Sequence, residues 1–157
     1  MLVQDQSKTI AFLREPAAYA GLGLKGPVER IETHISEVFL IGDRVFKLKR
    51  AVKFPYLDFS TEAKRKAAAD AELRLNRRTA PDIYLGLAVV TRGADGGLEL
   101  SLHEDGEDTD AIEWLVAMRR FPQEALLDAM AARGELPVAV MEDVAEAVAA
   151  FHDEARW

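Results

Sequence analysis

The chain has 157 residues, of which 49% are hydrophobic and 30% charged, with a formal net charge of −7 and no cysteine. That composition supports one domain with its own core and excludes a disordered chain, a disulfide scaffold, a thiol nucleophile and a cysteine-ligated metal. The acidic balance argues against a nucleic-acid partner. No run approaches the ~20 apolar residues of a membrane span, and the opening MLVQDQSKT lacks the basic-then-apolar order of a secretion signal, so a cytoplasmic protein is expected.

In chain order, Ser7 is placed to cap a short helix whose apolar side is Ile10, Phe12 and Leu13, and Pro16 ends it. A glycine-containing loop follows, Gly21 to Pro27. From Val28 the pattern becomes that of strands: Val28 to Thr33, Glu37 to Ile41 and Arg44 to Lys49, with a tight Gly42-Asp43 turn between the last two. On the third strand the period of two puts Val45, Lys47 and Lys49 on one face and Phe46 and Leu48 on the other. Ser60 or Thr61 caps a helix that runs to about Arg78, before Pro81. Ile83 to Thr91, Leu98 to Leu102 and Glu113 to Arg119 read as three more strands, the last suited to burial. After Pro122 the pattern is helical, from Gln123 to Arg133 with a stop at Gly134, then from Pro137 to near Glu154. The order predicts an α+β fold: an antiparallel sheet of five to six strands with one packed helix, then a helical segment.

Several motifs are tempting and weak. Gly21-x-Gly23-x-x-Gly26 matches the glycine pattern of phosphate loops, but a helix end precedes it and Pro27 leads into a strand, so it reads as a connector. No Gly-x-x-x-x-Gly-Lys-Ser/Thr is present. His34, His103 and His152 lack the spacing of a zinc site. The acidic stretch Glu104 to Asp110 lacks the ordered ligands and loop glycine of a calcium site and reads as a solvated loop. Basic clusters at Lys47 to Lys53, Lys64 to Lys66 and Arg74 to Arg78 suit at most a small anionic ligand. One constellation fits a defined chemistry: Lys47 in mid-strand and Glu72 in mid-helix. Kinases aim a lysine ammonium at nucleotide phosphates and hold it with a carboxylate. Two solvated surface charges are the alternative.

Beyond spacing, the stretches Glu32 to Arg50, Phe54 to Thr61 and Glu72 to Gly86 resemble a bacterial group related to aminoglycoside phosphotransferases, some of whose members carry a further P-loop kinase-like domain. Met118-Arg119-Arg120-Phe121-Pro122 and Ala149-Ala150-Phe151-His152 extend the resemblance over most of residues 28 to 155. It implies a protein-kinase-like N-terminal lobe over 28–121, preceded by a helix and connector over 1–27 and followed by helices over 122–157 that open a second lobe. It further implies ATP as ligand, with Mg2+ bound by residues outside this chain. Lys47 would be the phosphate lysine and Glu72 its partner, with Lys49 as the alternative lysine. Val45 would lie against the adenine and Met118 behind it. Thr33, His34 and Ser36 would form the turn over the phosphates. The backbone of Arg119 and Phe121 would form the hinge at the adenine edge, with Arg120 solvated.

The family's catalytic motif, His-x-Asp-x-x-x-x-Asn, is absent, and Asn76 is the only asparagine. The expectation is therefore a piece of a larger enzyme that transfers phosphate to an unidentified small-molecule hydroxyl. It would be inactive alone and inclined to self-associate through an exposed lobe interface. The alternative is a non-catalytic nucleotide-binding or protein-interaction module that uses its C-terminal helices.

Overall fold

A computed structural model of the chain describes residues 2–103 and 110–154, so all but Asp110 of the acidic stretch lies outside the described residues. The chain divides into two compact units, Met1–Arg120 and Phe121–Trp157.

The first unit begins with helix α1 (Ser7–Leu13) and a 3-10 helix over Pro16–Leu22, which takes in the helix end expected before Gly21 and the first two residues of the expected loop. Ser7 does not cap α1. Gln6 occupies the cap position, and the Asp5 carboxylate accepts the Ser7 N–H at 2.8 Å. The strands are β1 (Glu29–Glu32), β2 (Ser36–Ile41), β3 (Arg44–Lys49), β4 (Lys53–Phe54), β5 (Leu57–Asp58), β6 (Tyr84–Arg92), β7 (Leu98–Leu102) and β8 (Glu113–Arg119). The small β4–β5 hairpin is too short to show in the sequence pattern. Helix α2 (Glu62–Asn76) starts as expected, with the Thr61 hydroxyl accepting the Lys64 N–H at 3.3 Å.

Among the described residues, six strands form one antiparallel sheet in the order β1-β2-β3-β8-β6-β7. The last strand in sequence thus lies in the middle of the sheet. Its composition explains the position. Trp114, Leu115, Val116 and Ala117 are all buried, so both faces of β8 must be covered. One face carries Phe39, Ile41, Phe46, Leu48, Leu115 and Ala117, covered by Leu13, Ala18 and Tyr19 from the N-terminal segment. The Tyr19 hydroxyl donates to the Leu13 carbonyl at 2.7 Å, which satisfies the one polar atom that this ring buries. The other face carries Leu87, Val89, Trp114 and Val116 and packs against Ala69 and Leu73 of α2.

Helix α2 is docked largely by charge. Arg65, in a segment that the sequence reads as a basic surface cluster, is fully buried. Its guanidinium grips Glu113 of β8 at 2.8 and 2.6 Å and donates to the Phe59 carbonyl at 3.0 Å and to Gln4 at 3.0 Å. Gln6 donates to Glu113 at 2.8 Å and to the Lys49 carbonyl at 3.1 Å, and accepts the Ala51 N–H at 2.7 Å. Burial pushes the Glu113 carboxyl above its ordinary value, against the opposing pull of Arg65.

The second unit holds a 3-10 turn (Gln123–Ala125), α3 (Leu127–Ala132) and α4 (Val138–Glu154). A single helix from Gln123 to Arg133 was expected. Leu126 instead adopts an extended conformation, ψ 138°, and divides it. No described helix is long and apolar enough to cross a membrane.

Breaking the buried pair from one side leaves a charge without a counter-ion. Arg65→Met is expected to cost about 3–5 kcal/mol in urea unfolding. The double replacement Arg65→Met with Glu113→Leu should recover most of that loss.

Candidate functional site

Strand register decides which side chains share a face. In the antiparallel pairs, Ile31 of β1 lies opposite Val38 of β2, Val38 opposite Lys47 of β3, and Lys47 opposite Val116 of β8. Val45 pairs in the same way with Leu40 and with Met118, which in turn faces Tyr84. Directly opposed residues point to the same side of a sheet. Val45, Lys47, Lys49 and Met118 therefore share the face on which α2 sits.

Glu72 projects from α2 onto this face and holds two lysines at once. Lys47 Nζ lies 2.9 Å from Oε1 and Lys49 Nζ 2.6 Å from Oε2. Burial alone pushes the Glu72 carboxyl up, but hydrogen bonds from Lys49 and Lys47, with their charges, outweigh it and hold the group below its ordinary value. The two lysines are not equivalent. The Lys49 side chain is 7% exposed and lies over the Phe59 ring at 5.3 Å, whereas that of Lys47 is 31% exposed. Lys49 is structurally fixed. Lys47 is the more accessible of the two lysines on Glu72.

Thr33, His34 and Ser36 lie at the β1–β2 turn. The Thr33 N–H donates to the Ser36 carbonyl at 2.9 Å, and the Thr33 hydroxyl accepts the Ser36 N–H at 3.0 Å. Arg50, just past β3, clamps the turn by donating to the Thr33 carbonyl at 2.8 Å and pairing with Glu32 at 3.1 Å. The turn is thus tied to the end of the strand that carries Lys47 and Lys49. The His34 ring packs near Phe54, centroids 6.5 Å apart.

Met118 and Arg119 close β8. The Arg119 N–H is committed to the Ile83 carbonyl at 2.8 Å. Arg120 is paired, not merely solvated: it donates to Glu29 at 2.9 Å. Phe121 begins the second unit and is 37% exposed.

Sequence reasoning missed four contributors. Ile31, 47% exposed, and the half-buried Val38 extend an apolar floor beside Lys47. Their alternation along β1 and β2 is the signal that points to them. Glu62, which accepts from the Trp114 indole, and Lys66, whose ammonium lies 4.6 Å from the Trp114 ring centroid, fix α2 over β8 and leave no such signal. The basic cluster Lys64 to Lys66 is committed internally: Lys64 holds Asp58 at 2.7 Å and Lys66 holds Asp70 at 3.2 Å. No group of three or more His, Asp or Glu among the described residues is arranged to hold a metal.

Over 126 residues the chain is 35% identical to an uncharacterized protein of Mycobacterium tuberculosis (strain H37Rv) and, equally, to one of Mycobacterium bovis. The match covers 80% of this chain and 22% of each relative. The chain therefore spans about a fifth of the length of the curated relatives it matches. No family model matches it, and no solved structure does.

The lowered pKa of Glu72 makes a signed prediction. A carboxylate with a depressed folded-state value stabilises the fold above its unfolded-state value, and that stabilisation is lost as pH falls through the folded value. Glu72→Gln should therefore flatten the loss of stability from about pH 5 downward, as read by urea midpoints at a series of pH values.

Proposed function

We propose that this chain is the nucleotide-binding portion of an ATP-dependent phosphotransferase with a protein-kinase-like N-terminal lobe, acting on a small-molecule hydroxyl. The observation that carries the reading is the Glu72 carboxylate shared between Lys47 and Lys49. Phosphoryl transfer depends on positioning and on electrostatic stabilisation of phosphate charge, and a strand lysine held by a helix carboxylate is the kinase solution. A sheet in which the final strand inserts beside the lysine strand supports it too, because this brings Met118 next to Val45.

In this reading Lys47 meets the nucleotide phosphates. Glu72 keeps its ammonium extended, and Lys49 anchors Glu72. Ile31, Val38, Val45 and Met118 form the surface under the adenine. The clamped Thr33 to Ser36 turn covers the phosphates, and the chain leaving β8 through Arg119 and Phe121 supplies the hinge. Mg2+ bound with the nucleotide would supply screening of the phosphate charge. The sequence holds no His-x-Asp-x-x-x-x-Asn, so the magnesium ligands and the catalytic aspartate are assigned to other parts of a longer protein.

A second reading has its own observation. Val138, Met141 and Val148 of α4 are 76%, 45% and 48% exposed. Their spacing sets them along one helix face, which suits an interaction module.

The discriminating variant is Lys47→Ala in the complete gene product. A charge-assisted contact to phosphate is worth about 1.5–3 kcal/mol, so MgATP affinity by calorimetry should fall about tenfold or more, with circular dichroism unchanged. Glu72→Gln should act in the same direction. Undiminished binding in both Lys47→Ala and Lys49→Ala would overturn the nucleotide site and leave the interaction reading.

A further inference from the structure

The sheet face away from Glu72 carries a cavity that the nucleotide reading does not use. It has a volume of about 370 Å3, within the ~300–1,000 Å3 range of small-molecule sites. Its floor is Phe46 of β3, Ala117 of β8, Leu85 and Gly86 of β6 and Leu102 of β7. Leu22 and Leu24 line it from the glycine-containing connector.

Three features distinguish this space from loose packing. First, β6 slips register against β8 between Tyr84 and Gly86, and such bulges recur where a strand is re-aimed beside a site. Second, Gly86 leaves the floor open. It lies opposite Ala117, whose side belongs to this face, and a Cβ at position 86 would meet no atom within 4 Å. A glycine inside a strand weakens it and often marks close approach of a ligand. Third, the connector is held over the sheet by Leu22 and Leu24, which pack against the core on either side of Gly23, whose φ is 71°. Gly23 thus lets the connector turn so that Leu22 and Leu24 both line the apolar space.

The cavity has polar character at one end. Arg44, at the start of β3, lines it, and its guanidinium already pairs with Asp43. A guanidinium has five N–H donors in a fixed fork, so one carboxylate does not exhaust it. Arg44 and the β7 end lie three strand spacings apart, roughly 14 Å. At that far end the His103 ring packs edge-on against Trp114, 4.8 Å between centroids, and so belongs to the other face. The space is elongated and apolar along its length, with the Arg44 guanidinium and its paired Asp43 carboxylate at one end.

We propose that this cavity binds a small amphipathic carboxylate, with its apolar body along Phe46, Leu24 and Leu102 and its anionic head on Arg44. The site is independent of the Glu72 face, so it stands or falls separately from the nucleotide reading.

The test uses octanoate and its uncharged counterpart octanol, titrated against the 157-residue chain by calorimetry and by amide shifts in NMR. Octanoate should bind saturably and shift the Gly86, Phe46 and Leu102 amides. Gly86→Leu, which fills the floor, should weaken it at least tenfold. Leu24→Trp, which fills the space from the connector, should do the same and serves if Gly86→Leu does not fold. Arg44→Gln should weaken octanoate about tenfold and leave octanol unchanged, and Lys47→Ala should leave both unchanged. The proposal is overturned by absence of saturable octanoate binding, by indifference to the filling variants, or by an Arg44→Gln variant that binds octanoate as before.

Discussion

The geometry of the first unit depends on how one polar helix is fastened to a sheet. The stripe that α2 turns to the sheet is Glu62, Arg65, Ala69, Glu72 and Leu73, at helical spacing, and three of the five carry charge. Glu62 meets the Trp114 indole, Arg65 meets Glu113, and Glu72 meets Lys47 and Lys49. Buried charges are tolerated only when matched. A slip of one residue rotates the helix by about 100° and would unmatch all three contacts together. Apolar side chains at these positions would hold the helix as firmly but would tolerate neighbouring registers. The arrangement is best understood as fixing where Glu72 stands rather than as a large source of stability, since buried ion pairs roughly break even against well-packed apolar groups.

That fastening reaches the chain's beginning. Gln4 and Gln6 complete the hydrogen bonding of Arg65 and Glu113, and Gln6 also bonds both sides of the chain leaving β3, at Lys49 and Ala51. One buried network therefore joins the N-terminal segment, the lysine strand, the central strand and α2. The position of the Glu72 carboxylate is set by segments that are distant in sequence and share the same few polar atoms.

The central sheet separates two chemistries. On the α2 side, Lys47 and the apolar floor of Ile31, Val38, Val45 and Met118 offer cation and flat surface together. On the opposite side, α1, the 3-10 helix and the connector cover an apolar face. β8 makes this division workable, because a strand buried on both faces lets each side be built without exposing the other.

The sequence alone determined the order of the six longer strands and of helix α2, a helix cap at Ser60 or Thr61, and the shared face of Val45, Lys47 and Lys49, and it offered Lys47 with Glu72 as a candidate pair beside the alternative of two solvated charges. These are local regularities: period two in strands, capping chemistry at a helix start, and a charge in mid-element. Tertiary structure decided that β8 lies between β3 and β6, that Lys49 joins Lys47 on one carboxylate, and that Arg65 is buried. In the sequence Arg65 sits between Lys64 and Lys66 and looks like its neighbours. Only the helix azimuth relative to β8 turns it inward toward Glu113 while Lys64 and Lys66 reach other partners. Burial of a charge is a property of its counter-charge's position, and here that position is 48 residues away in the chain.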